Sequence, residues 1–285
     1  MSRGVRTIHC ALVAAALLVA SCRMLSASPL SVYVTLPPLA EALEAVGGAE
    51  VSVGVLLPAG VSPETYQPDA RTVAALGRAE LLLTIGAPFE QTLLPRLKET
   101  FPFLTVVDGT REMAFRTFLD GGRDPHVWLS ATNLSRFAEN ACDALCAARP
   151  GRADAFRANL ARYRASLEEL NAHNRELLSS LSGSAVLVYH PAFGYFLGEY
   201  GITQLSIEEE GKEPSPRELL QTIRKARELR VPAIFVQPQF SPRTAKVLAD
   251  ELKCRVVPLD PLPENASRGL REMAETIARE YQILP

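Results

Sequence analysis

The sequence predicts an α/β protein of two lobes, each a mainly four-stranded parallel sheet with flanking helices, joined by one long connecting helix. Three observations predict it. Short apolar runs alternate with helix-like segments up to about residue 110. The same alternation restarts after residue 183. Between them, residues 151–183 hold an amphipathic stretch with no glycine from Arg152 to Ser182. Strand and helix in strict alternation is the pattern of a parallel sheet covered by helices.

In the first lobe, "SVYVTL" (31–36), "VSVGVLL" (51–57), "LLLTIG" (81–86) and "LTVVDGT" (104–110) read as strands. They are β-branched or leucine-rich with little alternation, as expected of strands buried on both faces. "PLAEALEAVGG" (38–48) reads as a helix closed by glycine. "PDARTVAALGRA" (68–79) and "FEQTLLPRLKETF" (89–101) are the other helices, the second mostly helical with an irregularity at Pro95. In the second lobe the strands are "AVLVYH" (185–190), "TQLSIE" (203–208), "AIFVQP" (233–238) and "RVVPLD" (255–260). Helices fall at 193–201, 216–230, 241–253 and 264–280. The connector places Phe156, Leu160, Tyr163, Leu167, Leu170, Leu177 and Leu181 mostly at three- or four-residue steps. As one helix it would be roughly 45 Å long, enough to run along both lobes. The expected organisation is a signal peptide over 1–21, a first lobe over 22–150, the connector over 151–183 and a second lobe over 184–285.

The composition is 47% hydrophobic and 22% charged with net charge -2, which fits a globular chain and argues against nucleic-acid binding. Arg3 and Arg6 followed by the apolar "ALVAAALLVA" (11–20) form a secretory leader, too short to span a bilayer. "LVASC" resembles a bacterial lipobox, with Cys22 lipidated after cleavage; cutting after "SAS" (26–28) is the alternative, disfavoured by Pro29. One lipidated end tethers a domain to a membrane surface without spanning it. The location expected is therefore the periplasmic side of a bacterial membrane, lipid-anchored, for a monomer. Cys142, Cys146 and Cys254 remain. Cys142 and Cys146 share a helix face, where a disulfide between them has the wrong geometry. They read as small buried apolar residues, with a bridge from one of them to Cys254 left open.

Ligand chemistry in open parallel sheets gathers at the carboxyl ends of strands. Glu64 follows the second strand, His126 follows the fourth after a loop, His190 ends the fifth and Asp260 ends the eighth. Each has an ordinary structural reading alone: a solvated loop carboxylate, a hydrogen-bonded histidine, a turn-forming aspartate. Their coincidence carries the argument. Of four histidines, His9 leaves with the leader and His173 belongs to the connector, so both that remain occupy site positions. Two imidazoles and two carboxylates suit a divalent transition metal.

At these residues the chain resembles the metal-binding lipoprotein family that serves zinc or manganese ABC importers. "DPHVWLS" around His126, "YHPAFGYFLGEYG" around His190, "EPSPRELL", "FVQPQFSP" and "VVPLDPL" follow the family's order along the whole mature chain. The resemblance implies His126, His190 and Asp260 as ligands, no enzymatic activity, and an ABC permease as partner. The family's remaining ligand is usually a histidine in a loop like "sPHtYeP"; here "SPETYQP" puts Glu64 there. Gln237 stands where glutamate is common, and no histidine-rich insertion precedes His126. Zinc is the expected cargo, with manganese or ferrous iron as the alternative because a carboxylate hardens the site. A zinc hydrolase with Glu64 as base and an organic-solute receptor or adhesin lined by Trp128 and Tyr195 are the other classes weighed.

Overall fold

The computed structural model describes residues 28–118, 121–208, 215–240 and 242–282. The leader, Cys22 and most of the acidic stretch after Glu208 lie outside the described residues. Two four-stranded parallel sheets form the frame. The first runs β2-β1-β3-β4, with β1 at Leu30–Val34, β2 at Val51–Val55, β3 at Leu81–Thr84 and β4 at Thr105–Asp108. The second runs β6-β5-β7-β8, with β5 at Ala185–Val188, β6 at Thr203–Ser206, β7 at Ala233–Val236 and β8 at Arg255–Pro258. The two orders are the same, so the lobes repeat one topology.

Burial refines the expectation from the strand sequences. Of the four inner strands, β3, β5 and β7 are buried at every residue and β1 alternates buried with half-buried, whereas the edge strands β2, β4, β6 and β8 are partly exposed. An edge strand has one open side, and helices cover it less completely. Every second-lobe strand also stops two residues or more before the expected end. The residues shed from these strands, His190, Gln237 and Asp260 among them, are those that leave the ladder at the carboxyl end.

Helices pack on both sheets: α1 (Ala40–Gly47), α2 (Ala70–Ala75), α3 (Pro88–Thr100), α4 (Ala131–Ala148), α5 (Ala153–Leu177), α6 (Gly194–Glu199), α7 (Pro216–Glu228), α8 (Pro242–Leu252) and α9 (Ala266–Gln282). Their starts follow local chemistry. Asp69 caps α2 through Thr72 N, and Ser130 caps α4 through Asn133 N. Ser215 and Glu218 form a capping box on α7, with Pro216 at its first turn. Helix α3 runs through Pro95 as one continuous element. No helix among the described residues is long and apolar enough to cross a membrane.

The connector is α5, flanked by single 3-10 turns at Pro150–Arg152 and Ser179–Leu181. Its 25 helical residues extend about 37 Å, less than the full stretch would give. Phe156, Tyr163, Leu167 and Leu170 are its buried stripe. Asn159 Nδ2 donates to Val46 O of α1 at 2.8 Å, and Asn174 Nδ2 donates to Leu270 O of α9 at 3.2 Å. One helix thus grips a helix of each lobe. A single hydrophobic core runs from β1 and β3 through Phe156 and Leu167 to Phe193, Phe235 and Leu270. A second, smaller core lies under α7 and α8. All three described cysteines are free, so the bridge to Cys254 is not formed.

At the carboxyl end of β3 the chain turns at Gly86, whose φ of 81° is left-handed. Glu90, on α3 and 1% exposed, accepts from Ile85 N at 3.1 Å and Gly86 N at 2.7 Å and so closes that turn. Glu90→Ala leaves both amides without this acceptor, at about 1–3 kcal/mol each. Urea unfolding should show that loss, with Glu90→Gln, which keeps one acceptor oxygen, falling between it and the parent.

Candidate metal site

The loop after β2 is fixed before any ligand is considered. Tyr66 OH donates to Leu56 O at 2.8 Å, and its ring packs edge-on against Phe89 with centroids 5.2 Å apart. Tyr66 N closes a turn on Ser62 O at 3.1 Å. Within that turn Ser62 Oγ donates to Glu64 Oε2 and accepts from Glu64 N. Glu64 Oε1 is left to face the space between the lobes, with its side chain 28% exposed.

His126 is set by its neighbour two residues back. Asp124 Oδ1 accepts from His126 N at 3.0 Å and meets Nδ1 at 2.8 Å. Asp124 is itself buried. The carboxylate therefore holds the proton-bearing Nδ1 and aims Nε2 into the site. The Trp128 ring lies 5.2 Å from the imidazole.

His190 is held on three sides. Gln237, fully buried at the end of β7, accepts from His190 N at 3.3 Å and donates to His190 O at 2.7 Å. Glu208 Oε1 lies 3.2 Å from Nδ1. Phe240 stacks on the ring with centroids 5.1 Å apart. Nε2 again points inward.

These placements bring three donors together. Glu64, His126 and His190 each offer an atom within 4.8 Å of the others, the only such group among the described residues. His190 Nε2 lies 2.9 Å from Glu64 Oε1 and 3.3 Å from His126 Nε2. His126 Nε2 lies 3.9 Å from the same Glu64 oxygen. Pro63, Trp128, Gln239, Phe240 and Leu262 help close the walls. The cavity is about 10 Å³, room for one water-sized occupant. An organic ligand needs several hundred Å³, and Trp128 and Tyr195 are buried packing residues rather than an open aromatic lining.

Electrostatics follow from this geometry. Burial alone would push His190 down, but hydrogen bonds and charge from Glu208 and Glu64 outweigh it and raise its pKa to about 9. Burial would push Glu64 up, yet the hydrogen bond and charge of His190, with Ser62 and His126, bring it down to about 2. His190 is thus an imidazolium between two carboxylates. Its Nε2 faces Glu64 Oε1.

Asp260 does not join the group. Strand β8 ends at Pro258, and Asp260 is exposed beyond it. Its Oδ1 accepts from Leu262 N at 3.0 Å and from Gln239 Nε2 at 3.1 Å. This is the turn that an aspartate makes readily by accepting from the backbone amide two residues on. Sequence reasoning also passed over Asp124, Ser62 and Glu208. Asp124 and Ser62 each lie two residues before a candidate ligand, a spacing that could have flagged them. Glu208 closes the stretch read as a strand over 203–208 and opens a run of three glutamates.

Fold and cluster define a class: two-lobed α/β proteins on a stiff helical connector, with imidazole and carboxylate donors converging between the lobes. Residues 32–280 match the family described as zinc-uptake complex component A, periplasmic, and the chain belongs to that family. A crystal structure of ZnuA is 35% identical with a TM-score of 0.84, covering 88% of this chain and 98% of its own. A zinc-bound ZnuA lacking residues 138–173 is also 35% identical, with a TM-score of 0.86, covering 90% and 100%. The zinc-binding protein AdcA of Streptococcus pyogenes serotype M6 is 26% identical over 285 residues, 91% of this chain and 54% of AdcA. The chain spans about half the length of the AdcA proteins it matches.

The paired shifts predict a pH signature for the metal-free protein. His190 has its pKa raised from 6.5 to about 9, so its contribution is complete below 6.5 and is lost as pH rises through about 9. Glu64 is lowered from 4.5 to about 2, so its contribution is complete above 4.5 and is lost as pH falls through about 2. The stability gap between the parent and Glu64→Gln should be widest between pH 4.5 and 6.5 and close towards alkaline pH. Thermal unfolding in chelator across pH measures it; a gap constant up to pH 10, about one unit beyond the raised pKa, would refute the pairing.

Proposed function

We propose that the protein is an extracytoplasmic receptor that captures one divalent transition-metal ion, zinc first, and delivers it to the permease of an ABC importer. The observation that carries this is the convergence of His126 Nε2, His190 Nε2 and Glu64 Oε1 on a cavity with room for one ion. Each imidazole is backed on its other nitrogen by a carboxylate, which fixes the inward nitrogen as donor. Glu64, His126 and His190 are the proposed ligands. Asp260, now held by Gln239 and Leu262 N, is the carboxylate available to complete four-coordination. Family membership supports the transport role, and the lipobox-like "LVASC" supports anchoring through Cys22.

Glu64 favours a second reading of the cargo. A carboxylate in place of imidazole makes the set harder and shifts preference towards manganese or ferrous iron. Competitive titration of the metal-free protein with Zn²⁺ and Mn²⁺ separates the two. Zinc should win by orders of magnitude; equal or preferred Mn²⁺ binding would move the assignment.

Two further outcomes follow. His126→Ala or His190→Ala should weaken Zn²⁺ binding more than tenfold, above about 1.4 kcal/mol. Calorimetry in buffers of different ionisation enthalpy should show about one proton released per Zn²⁺ near pH 7.5, from His190, and fewer as pH passes 9. Zinc binding unchanged in both alanine variants would show that the site lies elsewhere.

A further inference from the structure

We infer that Tyr195 is a positioning residue that couples the two histidines across the lobe boundary; this rests on the metal-site reading above. Tyr195 lies on α6, five residues after His190, and is 7% exposed. Its hydroxyl leaves its own lobe. It donates to Asp124 O at 3.0 Å and accepts from Arg116 N at 2.9 Å. Asp124 N in turn donates to Arg116 O at 3.0 Å, and Thr117 bridges Arg123 in antiparallel fashion. Residues 116–118 and 122–124 thus pair as the two arms of a hairpin whose open end is tied by the Tyr195 hydroxyl.

The aspartate at that end is the one that orients His126. Asp124 Oδ1 takes both His126 N and Nδ1, so a shift in the Asp124 backbone moves the imidazole directly. The α6 surface is shaped for this contact. A Cβ built on Gly198 would meet Arg116 Nη1 at 2.8 Å. One on Gly194 would meet Arg116 Nε at 3.0 Å and Asp124 Oδ2 at 3.2 Å. Two glycines one helical turn apart therefore let the hairpin lie against the helix that begins just after His190. The spacing between His126 and His190, 3.3 Å between Nε2 atoms, is carried through this contact. A hydroxyl is needed because two backbone groups, one donor and one acceptor, must be met by a single atom.

The test is a double-mutant cycle with Zn²⁺ alone as ligand. Tyr195→Phe keeps the ring and removes only the oxygen. It should lower Zn²⁺ affinity about tenfold, mainly through faster dissociation, as loss of a group supporting a metal ligand commonly does. In a His126→Ala background the same change should have no further effect, because Tyr195 acts through His126. The Co²⁺-substituted protein should show an altered d–d spectrum in Tyr195→Phe. Near-UV circular dichroism confirms that the variant is folded. Additive losses in the cycle, or unchanged affinity and spectrum in Tyr195→Phe, would overturn the coupling. Unchanged zinc binding in His126→Ala alone would instead overturn the site assignment.

Discussion

Donor atoms that come from two lobes are only as well placed as the packing between the lobes. Everything about the cluster depends on that constraint. Glu64 and His126 belong to the first lobe and His190 to the second, with nitrogen and oxygen atoms brought within about a van der Waals diameter. A freely hinged pair of domains could not hold this spacing. The molecule meets the demand with one continuous hydrophobic core through both lobes and the connector, where even small displacements open voids. Polar contacts add direction. Trp128 Nε1 donates to Pro261 O at 2.6 Å across the cleft.

Two carboxylates make a reciprocal pair of clamps at the same boundary. Glu41, on α1 of the first lobe, accepts from Ser267 N at 2.8 Å and Ser267 Oγ at 2.5 Å at the start of α9. Glu199, at the end of α6 in the second lobe, accepts from Ser130 Oγ at 2.5 Å and Thr132 N at 3.2 Å at the start of α4. Each lobe therefore supplies an anion to a helix N-terminus of the other, where amides are unpaired and the helix dipole favours negative charge. Charge-assisted bonds of this kind are stronger and more directional than apolar contact alone. They resist sliding as well as opening, and sliding is the motion that would separate His126 from His190.

The parts legible in the sequence were those written in local pattern. Alternating strands and helices gave both sheets, because parallel strands need covering helices and short turns. His126 and His190 stood out because histidine is scarce in this chain and both followed strands. Glu64 was singled out by position rather than chemistry, since nothing local marks a carboxylate as lying beside His126 and His190. What stayed hidden depends on contacts between distant segments. Glu208 reaches His190 only because β6 lies beside β5. Tyr195 looked like core or pocket, and its ring is indeed core; its hydroxyl finds Asp124 across the lobe boundary, 71 positions away in sequence. Asp260 shows the opposite limit. Strand-end position predicted a ligand, whereas here the side chain accepts from its own turn and from Gln239, contacts that a strand-end position does not announce.

The charge balance explains why a carboxylate at position 64 is compatible with two buried imidazoles. With histidine there, Glu208 alone would face His190, and a proton on Nε2 would meet only other nitrogens. With Glu64, the buried imidazolium has an acceptor on each side, so the metal-free site is electrostatically complete without an ion. On the proposed reading, a divalent cation would take the place of that proton and bring one more positive charge than it removes. Three carboxylates surround the exchange: Glu64 directly, and Asp124 and Glu208 through the imidazoles.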